Sequence, residues 1–195
     1  MRRGQRVPLA ATLLTSACLL ASAAAARGAV FIVRHAEKQS DSNEKGVPLS
    51  EAGRARAARL AAVLKDAEIS AIYSTDTVRT LATAGPLAAA SKIAPQIYDA
   101  SGPDSAGRLA ARISKEHPTA NILVVGHSNT VGPLITALGC AETVAVAPQE
   151  YDGLWIVVPP QAGPQPRDGG ARPGDSSLPP RPSGSGTSTL LRLRL

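Results

Sequence analysis

The chain has 195 residues, a length that suits one domain with a sizeable core. Its net charge of +6 sits at the two ends, because between residues 27 and 158 the basic and acidic residues are equal in number. A neutral central region with 3% aromatic residues has neither the basic surface nor the stacking platforms of a nucleic-acid binder, so that class is excluded.

Residues 1–26 read as a signal peptide. A basic start with Arg2, Arg3 and Arg6 precedes an apolar run from Leu9 that ends in Ala21-Ser22-Ala23-Ala24-Ala25-Ala26. The expectation is an exported protein, periplasmic or secreted. Membrane attachment follows only if this leader stays uncleaved, since its apolar run approaches the length of a span. Cys18 leaves with the leader, and Cys140 then stands alone as a small buried hydrophobe without an internal disulfide.

The first strand runs through Ala29-Val30-Phe31-Ile32-Val33, an apolar, β-branched run that stops at Arg34-His35. A polar loop over 39–47 follows, in which Ser42 and Asn43 are read as solvated. A helix then starts with Ser50 as N-cap and Glu51 in the first turn, and Ala57, Leu60, Ala61 and Leu64 form its apolar stripe. Arg54, Arg56 and Arg59 lie off that stripe on a solvated face. Ile69 to Tyr73 is a second strand ending at Ser74-Thr75-Asp76. Asp76 or Thr77 caps the next helix, with Val78, Leu81 and Ala82 turned inward, Arg79 in the first turn, and Pro86 expected to end or kink it. Ala94 to Tyr98 is a third strand and 99–103 a loop.

Asp104 or Ser105 starts a helix with Leu109, Ala110 and Ile113 on one side, and His117 at its end is expected at the surface. Asn121 to Val125 is a buried strand leading into Gly126-His127-Ser128-Asn129. The helix after it carries Val131, Leu134, Ile135 and Leu138, places Pro133 in its first turn and closes at Gly139. Leu154 to Val158 is a further strand, and Tyr151 and Trp155 are read as strand packing. A Pro/Gly-rich insert over 159–186 is expected to be disordered. Beyond it Leu191, Leu193 and Leu195 alternate with Arg192 and Arg194, the period of a half-buried strand, so 187–195 is read as the last strand of the domain formed by 27–158. This order predicts an α/β fold: a three-layer sandwich with a largely parallel central sheet and an antiparallel C-terminal edge strand.

Three strand ends carry unusual residues: Arg34-His35, Ser74 leading to Arg79, and Gly126-His127-Ser128. Parallel strands bring such ends to one edge of a sheet, where ligands bind. Two arginines, two histidines and a helix N-terminus there suit a dianion.

The chain resembles the histidine phosphatase superfamily, in its phosphoglycerate mutase-like branch. The resemblance rests on Val33-Arg34-His35-Ala36-Glu37, Pro48-Leu49-Ser50-Glu51-Ala52-Gly53, Tyr73-Ser74 through Arg79 to Thr83-Ala84, and Val125-Gly126-His127-Ser128. It implies a metal-independent phosphomonoester hydrolase with no cofactor, in which His35 is the nucleophile and becomes phosphorylated. Arg34, Arg79 and His127 then hold the phosphoryl group, with Ser128 beside them. The substrate is a small phosphorylated molecule or a phosphoprotein. Two departures stand out. The usual Gly after the nucleophile is Ala36, and the Glu-bearing segment that supplies the leaving-group acid is missing. Asp99 is the candidate acid and Glu37 its rival. Without a strong acid the reaction favours good leaving groups, such as phosphohistidine or an acyl phosphate.

Two other classes compete. A phosphate-ester binder without turnover uses the same Arg and His residues. A mutase-like phosphotransferase needs a larger cap than the segment between Tyr73 and Ile122 provides. The H-x-E of zinc deaminases fails, because its P-C-x-x-C partner is absent.

Overall fold

The computed structural model describes residues 28–160 and 187–195, so the expected leader and all but the first two residues of the insert lie outside the described residues. Six strands form one sheet: β1 (Val30–Arg34), β2 (Ile69–Ser74), β3 (Gln96–Ile97), β4 (Asn121–Gly126), β5 (Gly153–Val158) and β6 (Thr189–Arg194). Their order is β3-β2-β4-β1-β5-β6. The first four strands in that order are mutually parallel, whereas β5 is antiparallel to β1 and β6 is antiparallel to β5. The predicted α/β sandwich and its closing C-terminal strand are both present.

Alternation along the strands sends successive side chains to opposite faces, and the helices cover them. Ile72, Leu123, Val33, Val125 and Leu154 face α1 (Glu51–Leu64) and α2 (Val78–Ser91), which contribute Leu60, Leu64, Ala84 and Leu87. Tyr73, Ile32, Val124 and Trp155 face α3 (Ser105–Glu116) and α4 (Ser128–Ala137), which contribute Leu109, Ile113, Val131 and Ile135. Each fully buried aliphatic side chain contributes roughly 1.5–3 kcal/mol by leaving water. Cys140 is buried, as expected.

The first helix starts as predicted, with the Ser50 hydroxyl accepting from the Gly53 N–H. Thr77, rather than Asp76, caps α2 and accepts from the Thr80 N–H. Pro86 does not end α2, which continues to Ser91, because Ala84 and Leu87 are buried on either side of it. Their burial offsets the backbone bond that proline removes. Pro133 is the sixth residue of α4, beyond the first turn, and buried Leu134 and Ile135 anchor the helix there in the same way. The inward face of α2 also differs from expectation. Val78 is half exposed, and Arg79, Thr80 and Thr83 are buried instead. That helix turns polar groups inward because it faces a polar site.

Three surface expectations are revised. Arg56 is not simply solvated but ion-pairs with Glu37 at 2.7 Å and donates to the Leu195 carbonyl. His117 is partly buried, with Nε2 3.1 Å from the Tyr73 hydroxyl. Leu191 and Leu193 of β6 are about half exposed, since α1 and α2 pack over the β2–β4 side of that face. Among the described residues no helix is long and apolar enough to cross a membrane.

Candidate active site

Register places the site. Arg34 pairs with Gly126 and Ser74 with Val125, so β1, β2 and β4 end together. The His35 N–H donates to the Gly126 carbonyl at 2.9 Å, which extends the pairing one residue beyond the strands. His35 and His127 meet there with ring centroids 5.3 Å apart, edge to face. A Cβ on Gly126 would come within 2.4 Å of the Thr130 hydroxyl, so glycine is what lets α4 start this close to the strand.

The segment after His35 is clamped by α1. The Ser50 N–H donates to the Glu37 carbonyl, Gln39 donates to Pro48, and a Cβ on Gly53 would lie 2.2 Å from the Glu37 carbonyl oxygen. That contact explains the Pro-Leu-Ser-Glu-Ala-Gly block: it caps a helix and lets its first turn press against the backbone behind His35. From the other side the Thr83 hydroxyl accepts from the Ala36 N–H at 3.0 Å and donates to the Arg79 carbonyl.

His35 Nδ1 lies 2.8 Å from the Ala36 carbonyl oxygen. A carbonyl only accepts, so Nδ1 carries the proton and Nε2 presents a lone pair. Burial, followed by the positive charges nearby, lowers the His35 pKa to about 3, although its hydrogen bond to Ala36 opposes this. Burial, then Arg79 and Arg34, lowers that of His127 to about 4. Both imidazoles are therefore neutral at pH 7. His127 Nε2 is 2.9 Å from the Thr75 hydroxyl, which in turn contacts the Thr80 hydroxyl.

The two guanidinium groups are buried and carry no carboxylate partner among the described residues. Arg34 Nη1 donates to the carbonyls of Ala147, Pro148 and Glu150, and Arg79 Nη1 donates to that of Glu44. The Nε atoms of both are buried with no hydrogen-bond partner. Buried donors are normally satisfied, so these two Nε–H groups are open to an acceptor that their own surroundings do not supply.

The model of the histidine phosphatase superfamily (branch 1) matches residues 30–100. The fold is similar to that of the protein histidine phosphatase SixA complexed with tungstate, at 20% identity over 67% of this chain and 88% of that one, with a TM-score of 0.54. It is also similar to mycobacterial glucosyl-3-phosphoglycerate phosphatase (16% identity, 68% and 90% covered, TM-score 0.53). A third is phosphoserine phosphatase from Entamoeba histolytica in complex with 3-phosphoglyceric acid (14% identity, 67% and 90% covered, TM-score 0.54). No curated protein matches the chain. The family-model match runs from β1 through β3 and includes Arg34, His35 and Arg79, and the solved structures share the fold.

Of the site residues expected from the sequence, Arg34, His35, Arg79 and His127 come together, and Ser128 opens α4 beside them. The two candidate acids are both held ionised. Burial alone would raise the Glu37 carboxyl, but its hydrogen bonds and charge contact with Arg56 outweigh that and hold it below its ordinary range. Asp99 lines a cavity of about 720 Å³ with His127, Thr75 and Lys45. Yet it is exposed, and hydrogen bonds from Ser101 with Arg108 nearby keep it ionised below its usual pKa. Both are carboxylates at neutral pH.

Sequence reasoning missed Tyr151, read as strand packing. Its ring lies 4.1 Å from Arg34 Cζ and 5.9 Å from the His35 ring. It missed the threonines too, although Thr80 and Thr83 following Arg79 at helical spacing are a signal of a polar inward face. In the loop over 39–47, Asn43 and the carbonyls of Asp41 and Ser42 accept from Lys38 Nζ, so part of its polarity is structural.

Proposed function

We propose that the protein is a metal-independent phosphatase acting through a phosphohistidine on His35, on substrates whose leaving groups need no protonation. The two orphaned Nε atoms beside a neutral His35 with a free Nε2 are the observation that carries this reading. A phosphoryl dianion on Arg34 and Arg79 satisfies both donors and brings phosphorus to the imidazole. Nε2 attacks, the bond from phosphorus to the leaving atom breaks, and the leaving group departs with that electron pair. Water then attacks phosphorus, the P–N bond breaks, and Nε2 regains its lone pair. The guanidinium charges stabilise the equatorial oxygens throughout. His127 lies beside the same oxygens; burial first and the two arginine charges second depress its pKa, a bound dianion offsets the arginine part, and its ring N–H donates to the phosphoryl group.

The ionised state of Asp99 and Glu37 supports the preference for good leaving groups. A phosphohistidine side chain and an acyl phosphate have such groups, whereas alkyl esters require a proton. The protein histidine phosphatase whose fold this chain shares fits this class. Export, read from residues 1–26, belongs to the same proposal.

The test is phosphate release from an aryl phosphate, an acyl phosphate and a phosphohistidine peptide, with chelator present. Turnover is expected to survive chelator, to vanish in His35→Ala, and to persist in Asp99→Asn for all three. Saturable phosphate binding without turnover of any of them would replace the enzyme with a phosphate-ester binder.

A further inference from the structure

The turn that holds Arg34 is itself held by the last strand. Residues 147–150 fold back so that the Glu150 N–H donates to the Ala147 carbonyl at 3.0 Å, and the Ala147 N–H donates to Glu150 Oε2 at 3.3 Å. The carbonyls of this turn grip Arg34 Nη1 and leave its Nε unpaired. On the far side of the turn the other carboxylate oxygen, Glu150 Oε1, accepts from Arg192 of β6. Arg192 pairs with Trp155 across the strands and lies over its ring, 5.4 Å from the centroid, while the Glu150 side chain is only 16% exposed. One turn thus has a guanidinium on each side: Arg34 on its carbonyls and Arg192 on its carboxylate.

We infer that Glu150 and Arg192 are positioning residues for the phosphoryl site, acting on Arg34 through the 147–150 turn. The inference rests on the reading of Arg34 as a phosphoryl ligand. The carboxylate closes the turn only while its charge is met, and Arg192 meets it from β6, 34 residues beyond the end of β5 at Val158. Without Arg192 the carboxylate turns to water, the turn loosens, and Arg34 loses the three acceptors that aim its fork. The same strand supplies an internal control: Arg194 pairs with Asp152 at 2.9 Å, one side-chain repeat further along, but that carboxylate closes no turn on Arg34.

The experiment uses the full chain with Arg192→Gln, Arg192→Lys, Glu150→Gln, the double Arg192→Gln/Glu150→Gln, and Arg194→Gln. Tungstate and phosphate affinity by calorimetry, kcat and KM on an acyl phosphate, and Tm are measured for each. Arg192→Gln and Glu150→Gln are expected to weaken oxyanion binding and raise KM on the order of tenfold. The double variant is expected to be no worse than either single, since all act on one link. Arg192→Lys recovers part of the loss, and Arg194→Gln changes Tm without changing oxyanion affinity. A wild type that binds and turns over, with Arg192→Gln unchanged in affinity or matched by Arg194→Gln, overturns this inference alone. A wild type that binds no oxyanion overturns the functional reading and this inference with it.

Discussion

Arg79→Met separates function from stability more sharply than any other single change. Arg79 is 7% exposed, makes one hydrogen bond to the Glu44 carbonyl, leaves Nε unpaired, and faces the like charge of Arg34. Methionine relieves the buried orphan, about 1–3 kcal/mol, and forfeits one charge-assisted bond of about 1.5–3 kcal/mol. These terms nearly cancel, and the lost repulsion from Arg34 tips the balance toward stability. Net stability should therefore stay within roughly 1–2 kcal/mol of the wild type, where truncating a partner of a buried ion pair typically costs about 3–5 kcal/mol. Affinity behaves oppositely. Removing a buried charge that pairs with an anion costs about 2–5 kcal/mol of binding, or roughly 30- to 5,000-fold in Kd. Urea unfolding with and without phosphate reads both quantities: phosphate raises the wild-type midpoint and leaves Arg79→Met unmoved. A variant that loses several kcal/mol of stability while binding phosphate normally would refute the reasoning.

The pKa directions predict how stability depends on pH. His35 and His127 take protons near pH 6.5 when unfolded but only near pH 3 to 4 when folded. The unfolded state binds more protons in that interval, so stability is complete above pH 6.5 and falls as pH drops toward 4. Double substitution by Gln flattens that part of the curve, and an unchanged slope would show that both side chains titrate normally. Gly53→Ala places a Cβ 2.2 Å from the Glu37 carbonyl oxygen. The first turn of α1 must then shift, and activity should fall further than a Gly→Ala change in an open helix position such as Gly85 can account for, as kcat/KM beside Tm would show.

Much of the site was legible because its residues lie at strand ends, and hydrophobic runs mark those ends clearly. Val33-Arg34 and Val125-Gly126 stop where apolar sequence stops, and parallel pairing does the rest. The final strand was legible for a similar reason, since the alternation of Leu191 to Leu195 shows through its distance from β5. What was not legible depends on partners far along the chain. Nothing around Tyr151 signals that Arg34, more than 110 residues earlier, lies against it. Glu37 reads as a candidate acid two residues from His35, yet Arg56 of α1 neutralises that role by holding its charge. Proline positions failed for a different reason. Pro86 and Pro133 obey local rules only where packing is weak, and both helices are anchored by buried side chains beside the proline.

The most direct test of the central claim is to mix the protein with an acyl phosphate, quench within a single turnover, and locate the phosphoryl group by peptide mapping under alkaline conditions. An acid-labile phosphoryl group is expected on Nε2 of His35, decaying as free phosphate appears, with none in His35→Ala. Turnover with no phosphorylated His35 at any time point, or a phosphoryl group carried by another residue, would contradict it.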